Sequence, residues 1–138
     1  MAPRTCGICH IVLTVTDLKR SADFYHKVLG MDYLESTDKT YCMTDGIAVL
    51  CLQLPPKQGY PNDRFDETRV GLDHVAFAVE SRRQLEEALP VLRELGAKTV
   101  GIEFDPWGQA EYICFRDPDN IQVELYVMGS LPPSQQPK

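Results

Sequence analysis

Apolar and polar positions alternate in a repeating order along this chain of 138 residues. Residues 9–15 (CHIVLTV) are rich in β-branched and apolar side chains and predict a strand. Leu18, Ala22, Tyr25, Val28 and Leu29 then recur at three- and four-residue steps, which predicts a helix capped by Thr16 or Asp17 and ended by Gly30. MDYLES and TYCMT follow as short strands, then the turn pair Asp45-Gly46 and a strand IAVLCLQL stopped by Pro55-Pro56. Residues 55–70 carry three prolines and no usable period, and predict a connector.

The order then restarts. LDHVAFAV predicts a strand, and Ser81 with Gln84 forms a capping box ahead of Leu85, Ala88, Leu89, Leu92 and Leu95. Gly96 closes this helix as Gly30 closes the first, and Pro90 predicts a kink inside it. KTVGIE, AEYICFR and IQVELYV complete the set, with Asp117-Pro118-Asp119-Asn120 as the turn between the last two. The chain thus reads as one strand-helix-three-strand unit written twice. Module one covers about 8–54, the connector 55–70 and module two about 71–128, with a frayed tail over 129–138, all within one domain. Aligning CHIVLTV with DHVAFAV, Leu29-Gly30 with Leu95-Gly96 and VLCL with QVEL sets His10 over His74 and Cys51 over Glu124.

Side chains alternate faces along a strand, so His10 shares a face with Val12 and Thr14, His74 with Ala76 and Ala78, and Glu124 with Gln122 and Tyr126. The bulky apolar residues take the opposite face, the natural floor for a helix. The expected architecture is α+β: paired β-α-β-β-β modules in a curved eight-stranded mixed sheet, helices outside, with two histidines and a carboxylate facing inward. Two neutral imidazoles and one carboxylate suit one divalent ion (Fe, Mn, Ni, Zn or Co) and leave coordination positions open for a small-molecule substrate. A lone strand histidine is commonly a hydrogen-bonded structural residue, but two at equivalent repeat positions with an inward glutamate favour the metal site. His26, mid-helix beside Lys27, is assigned to the surface.

Charge and cysteine usage narrow the classes. Fourteen basic residues stand against twenty acidic ones, with no Lys/Arg run to track a phosphate backbone, so nucleic acid is not an expected partner. No apolar stretch approaches the length needed to span a bilayer and no long apolar leader opens the chain, so a cytoplasmic protein without a membrane role is expected. Five cysteines at irregular spacings favour reduced thiols. Cys6-x-x-Cys9-His10 matches the haem-attachment pattern, but the strand that follows and the lack of an export signal speak against haem.

HIVLTVTDLKRSADFYHKVLGM, LDHVAFAV and FRDPDNIQVELY resemble the vicinal oxygen chelate superfamily, which includes glyoxalases, fosfomycin-resistance thiol transferases, extradiol dioxygenases, methylmalonyl-CoA epimerases and bleomycin-binding proteins. The resemblance runs from about Cys9 to Val127 and implies a cup of paired modules with ligands on the first and last strands of each. His10, His74 and Glu124 match three of its four ligand positions, Glu124 being also the candidate catalytic carboxylate. Cys51 stands at the fourth, where glyoxalase I-like members carry glutamate, so an activity other than that of glyoxalase I is expected. Cys51 is either a ligand or a small cavity-lining hydrophobe, and Gln53 on the same face is the alternative fourth ligand.

Thr14, Gln53, Gln122 and Tyr126 are expected to line the substrate pocket, and Trp107 to act either as a lid or as a plug. Tyr112 and Glu111 are weaker candidates, because the seventh strand cannot be oriented from sequence. No basic cluster near the last strands favours a phosphonate, and Asn120 replaces the glycine common after Asp-Pro-Asp. The resemblance further implies a homodimer in which modules pair within or between chains. The expected function is divalent-metal-dependent lyase, isomerase, dioxygenase or thiol-transfer chemistry on a substrate held through two oxygens; the alternative is a drug-binding protein of the bleomycin-resistance type.

Overall fold

The computed structural model describes residues 4–129, and the expectation for the tail lies almost wholly outside them. The chain divides into two compact units, Met1–Asp63 and Arg64–Lys138. The first contains β1 (His10–Thr14), α1 (Leu18–Leu29), β2 (Asp32–Ser36), β3 (Thr40–Thr44) and β4 (Val49–Gln53). The second contains β5 (Val75–Val79), α2 (Arg82–Glu94), β6 (Thr99–Asp105), β7 (Ala110–Arg116) and β8 (Gln122–Val127). Each unit holds one four-stranded mixed sheet, in the orders β1-β4-β3-β2 and β5-β8-β7-β6. The first and last strands of each unit pair in parallel and the other pairs are antiparallel. The helix between the first two strands of each unit carries the chain across the sheet, as a parallel pairing requires.

Burial follows the alternation. In the first unit Leu13, Met43, Leu50 and Leu52 pack toward α1, whose Tyr25 and Val28 are buried; in the second Ile113, Phe115, Val123 and Leu125 pack toward Leu85 and Leu92 of α2. The opposite faces are left to smaller and polar side chains.

The helix ends differ in how they are closed. Asp17 caps α1 by accepting from the Arg20 N–H at 2.9 Å, satisfying one of the first-turn donors. The capping box expected at α2 is only half formed. Ser81 is the N-cap but makes no side-chain cap bond, and the Gln84 carbonyl oxygen accepts instead from the Glu80 N–H at 2.6 Å, one residue earlier. Pro90 lies inside α2, which continues through it to Glu94. Gly30 and Gly96 both adopt left-handed angles (φ 64° and 66°) at the helix C-termini, conformations a side chain would strain.

Between β7 and β8, Asp117 Oδ1 accepts from the N–H groups of Asp119 and Ile121, and Asn120 takes φ 69°. Asparagine thus serves the turn in place of glycine, and its Nδ2 also donates to the Phe65 carbonyl at 2.9 Å. With the Phe65 N–H donating to Asp119 O and Arg116 gripping Glu67, the later part of the expected connector belongs to the second unit. No helix among the described residues is long and apolar enough to cross a membrane.

Candidate functional site

The register of each sheet repeats the alignment made from sequence. Val12 pairs with Cys51 across β1 and β4, and Ala76 pairs with Glu124 across β5 and β8. Each histidine lies two residues before the paired position, so His10 stands to Cys51 as His74 stands to Glu124.

In the second unit this diagonal brings His74 Nε2 to 3.6 Å from Glu124 Oε2. The other ring nitrogen, Nδ1, lies 2.7 Å from Asp73 Oδ1. A hydrogen bond there, with Nδ1 as donor, leaves the Nε2 lone pair directed toward the glutamate side. Asp73 is braced in turn: Gln122 Nε2 donates to its Oδ1 at 2.9 Å, Arg116 donates to Gln122 Oε1 at 2.7 Å, and the same guanidinium grips both oxygens of Glu67. The imidazole is therefore the end of a side-chain chain running back to the segment before β5.

His74 and Glu124 open into a cavity of about 360 Å³ lined also by Ala76, Asp105, Tyr112 and Tyr126. Tyr126 Oη donates to Asp105 Oδ2 at 2.8 Å, and the Tyr112 and Tyr126 rings stack with centroids 6.0 Å apart. This bond, with the Trp107 and Gly108 N–H groups, holds the Asp105 carboxyl below its ordinary value, while burial, followed by Asp105, pushes the Tyr126 phenol up to about 12. Gly108 permits the arrangement, because a Cβ there would fall 1.7 Å from Tyr126 Oη. Burial also raises the Glu124 carboxyl, only 14% exposed; His74 opposes that rise, and Asp105, Asp73 and Glu103 add to it. Facing Glu124 on β7, the Cys114 thiol is pushed up by burial and by Glu124 itself.

In the first unit His10, Thr14, Cys51 and Gln53 share one face, and Gln53 Nε2 donates to Thr14 Oγ1 at 3.3 Å. Cys51 departs from the ligand reading. It is joined to Cys42 by a disulfide, so it is neither a free thiol nor an available ligand in this state, and the expectation of five reduced thiols is corrected with it. Cys42 lies directly opposite Cys51 across β3 and β4, with Cα atoms 4.1 Å apart, the close approach of a non-hydrogen-bonded antiparallel pair. Cys6, Cys9 and Cys114 are free thiols.

Trp107 is 88% exposed and does not line the cavity. Glu111 points away from Glu124, pairing with Arg82 at the start of α2, whereas Tyr112 shares the Glu124 face. His26 is exposed on α1, its Nδ1 2.8 Å from the Met31 carbonyl oxygen. Among the described residues no three histidine, cysteine or carboxylate side chains converge as a metal site; His74 and Glu124 approach as a pair. Sequence reasoning missed Asp73, Asp105, Arg116 and Glu67. Asp73 and Arg116 adjoin positions already singled out, but nothing in the pattern connects them.

Two copies of a β-α-β-β-β unit, each with its first and last strands paired in parallel and a polar face turned from its helix, define a protein of glyoxalase-like fold. The chain belongs to the Glyoxalase/Bleomycin resistance protein/Dioxygenase superfamily, whose family model matches residues 7–125. It is 32% identical over 117 residues to a catechol-2,3-dioxygenase of Bacillus subtilis, covering 83% of this chain and 39% of that protein. It is 30% identical over 123 residues to the glutathione transferase FosA of Serratia marcescens, covering 88% of this chain and 80% of that one. A solved glyoxylase/bleomycin resistance protein/dioxygenase domain from Frankia sp. EAN1pec superposes with a TM-score of 0.78 at 33% identity, over 91% of this chain and all of that chain (100%).

Proposed function

We propose that this protein is a divalent-metal-dependent enzyme of the superfamily, with His10, His74 and Glu124 holding the ion and a small substrate engaging it through two neighbouring oxygens. The observation that carries the reading is the Asp73–His74–Glu124 arrangement. A carboxylate on Nδ1 orients the imidazole so that Nε2 faces a second, half-buried carboxylate, the way outer groups fix histidine ligands. The donor chemistry fits a cation. Burial, and after it the neighbouring carboxylates, disfavour the ionised form of Glu124, and a divalent ion would reverse that balance. Bound there, the ion supplies Lewis-acid polarisation of substrate oxygens.

The chain's own groups do the rest. Asp73, Gln122, Arg116 and Glu67 hold the imidazole in one orientation, and Tyr126, fixed by Asp105, forms the cavity wall beside Glu124. Lysine and arginine are absent from the cavity lining, and Arg116 is engaged by Glu67, which supports substrates other than phosphonates. The reading includes a homodimer, in keeping with the resemblance.

Elemental analysis of protein purified without chelator tests the site. About one equivalent of a divalent ion per chain is expected, lost in His74→Ala. Less than about a tenth of an equivalent, unchanged in that variant, overturns the site and favours a drug-binding role. Metal-loaded protein is then assayed for glutathione hemithioacetal isomerisation, catechol cleavage and thiol addition to fosfomycin.

A further inference from the structure

Resting on that metal site, we propose that Cys42 and Cys51 form a dithiol–disulfide switch that supplies or withdraws a thiolate ligand. Three observations converge. First, Cys51 occupies in the first unit the place of Glu124 in the second, set by two independent registers, Val12 with Cys51 and Ala76 with Glu124. In the second unit this diagonal sets histidine and ligand side by side, with ring nitrogen and carboxylate oxygen 3.6 Å apart, and Cys51, a shorter side chain, holds the same diagonal position from His10. Second, the residue opposite this position differs in its bonding. Cys42 is cross-linked to Cys51, whereas the corresponding Cys114 faces Glu124 as a free thiol. The same cross-strand pair thus contains cysteine in both units, and only in the first does it find a second sulfur. Third, Cys51 is half-buried on the face that carries His10 and Thr14, not among the core residues beneath α1.

A disulfide sulfur carries no charge to offer a cation; a thiolate is a strong, soft ligand. A dithiol reductant transfers two electrons, the Sγ–Sγ bond breaks, each cysteine gains a proton, and the reductant leaves as a disulfide. Cys51 then releases its proton to solvent as it binds the ion. The oxidised chain would offer an ion two imidazoles and one carboxylate. The reduced chain would add a sulfur, so reduction is expected to tighten metal binding.

Cobalt(II) added to the full-length chain reports both states. Denatured without reductant, the protein is expected to titrate three thiols, and five after reduction. Visible cobalt bands are expected in both states. A near-ultraviolet thiolate-to-cobalt band is expected only after dithiol reduction, with cobalt affinity rising roughly tenfold or more. Cys42→Ser should show that band without reductant, and Cys51→Ser in neither state, with circular dichroism establishing that both variants are folded. Visible cobalt bands without the thiolate band in reduced wild type overturn the switch alone, as does a thiolate band that survives in Cys51→Ser. Absence of all cobalt bands in both states overturns the metal site as well.

Discussion

The two units share strand order, helix placement and register, yet their polar faces have been filled by opposite means. In the second unit the residue before the histidine is Asp73, the residue level with it on the last strand is Gln122, and Arg116 continues the chain of contacts. In the first, the corresponding positions are Cys9, Val49 and Thr44, and Thr44 turns its hydroxyl to the Ala48 carbonyl. One histidine is oriented by a carboxylate relay and the other follows a cysteine. Where the second unit has an ionisable ligand candidate, the first has a covalent cross-link. The same backbone register therefore supports either a charged or a neutral face.

The widest gap to test is between the residues that precede the histidines. Asp73→Ala removes the acceptor on Nδ1 and is expected to weaken zinc binding by about 10–100-fold, the usual cost of losing an outer partner of a ligating histidine. Cys9→Ala should leave the affinity unchanged in a competition titration. Equal losses in the two variants would erase the asymmetry.

A smaller effect is expected at the β6–β7 turn. Gly108→Ala drives a methyl against Tyr126 Oη and to within 2.7 Å of Asp105 Oδ2, and should cost about 1–3 kcal/mol in denaturant unfolding. In a Tyr126→Phe background the first contact disappears and the ring carbon Cζ lies 3.0 Å away, so the penalty should shrink; an unchanged penalty would place the strain elsewhere.

The smallest effect concerns acid stability. Arg116 holds the Glu67 carboxyl at about 2 against 4.5 for an unperturbed glutamate. Because the folded value is the lower one, the unfolded chain takes up the proton first. The pair's contribution is full above about 4.5 and disappears as pH falls toward 2. Glu67→Gln should be less stable than wild type at neutral pH, with the difference closing across that window. A constant offset from neutrality to pH 2 would remove the ionic part of the relay.

Strand parity was legible because each sheet has one face packed on a helix, so alternation decides which side chains turn inward. Parity sets His74 and Glu124 on one face, and the internal repeat aligns Cys51 with Glu124. The relay was not legible: Glu67 and Arg116 are 49 residues apart, and the segment holding Glu67 has no periodicity. Asp73 adjoins His74, but a polar residue before a strand reads as a boundary. The disulfide depends on the β3–β4 register, which sets Cys42 opposite Cys51; an odd number of cysteines at irregular spacings concealed it.

Tyr126 commits its single hydroxyl proton to Asp105, and the oxygen that remains can only accept. Glu124 and Asp105, when ionised, are acceptors too. Apart from the Tyr112 hydroxyl stacked beside Tyr126, this side of the cavity offers lone pairs. An alcohol, phenol or amine brings protons to meet them, and a fully ionised oxyacid does not.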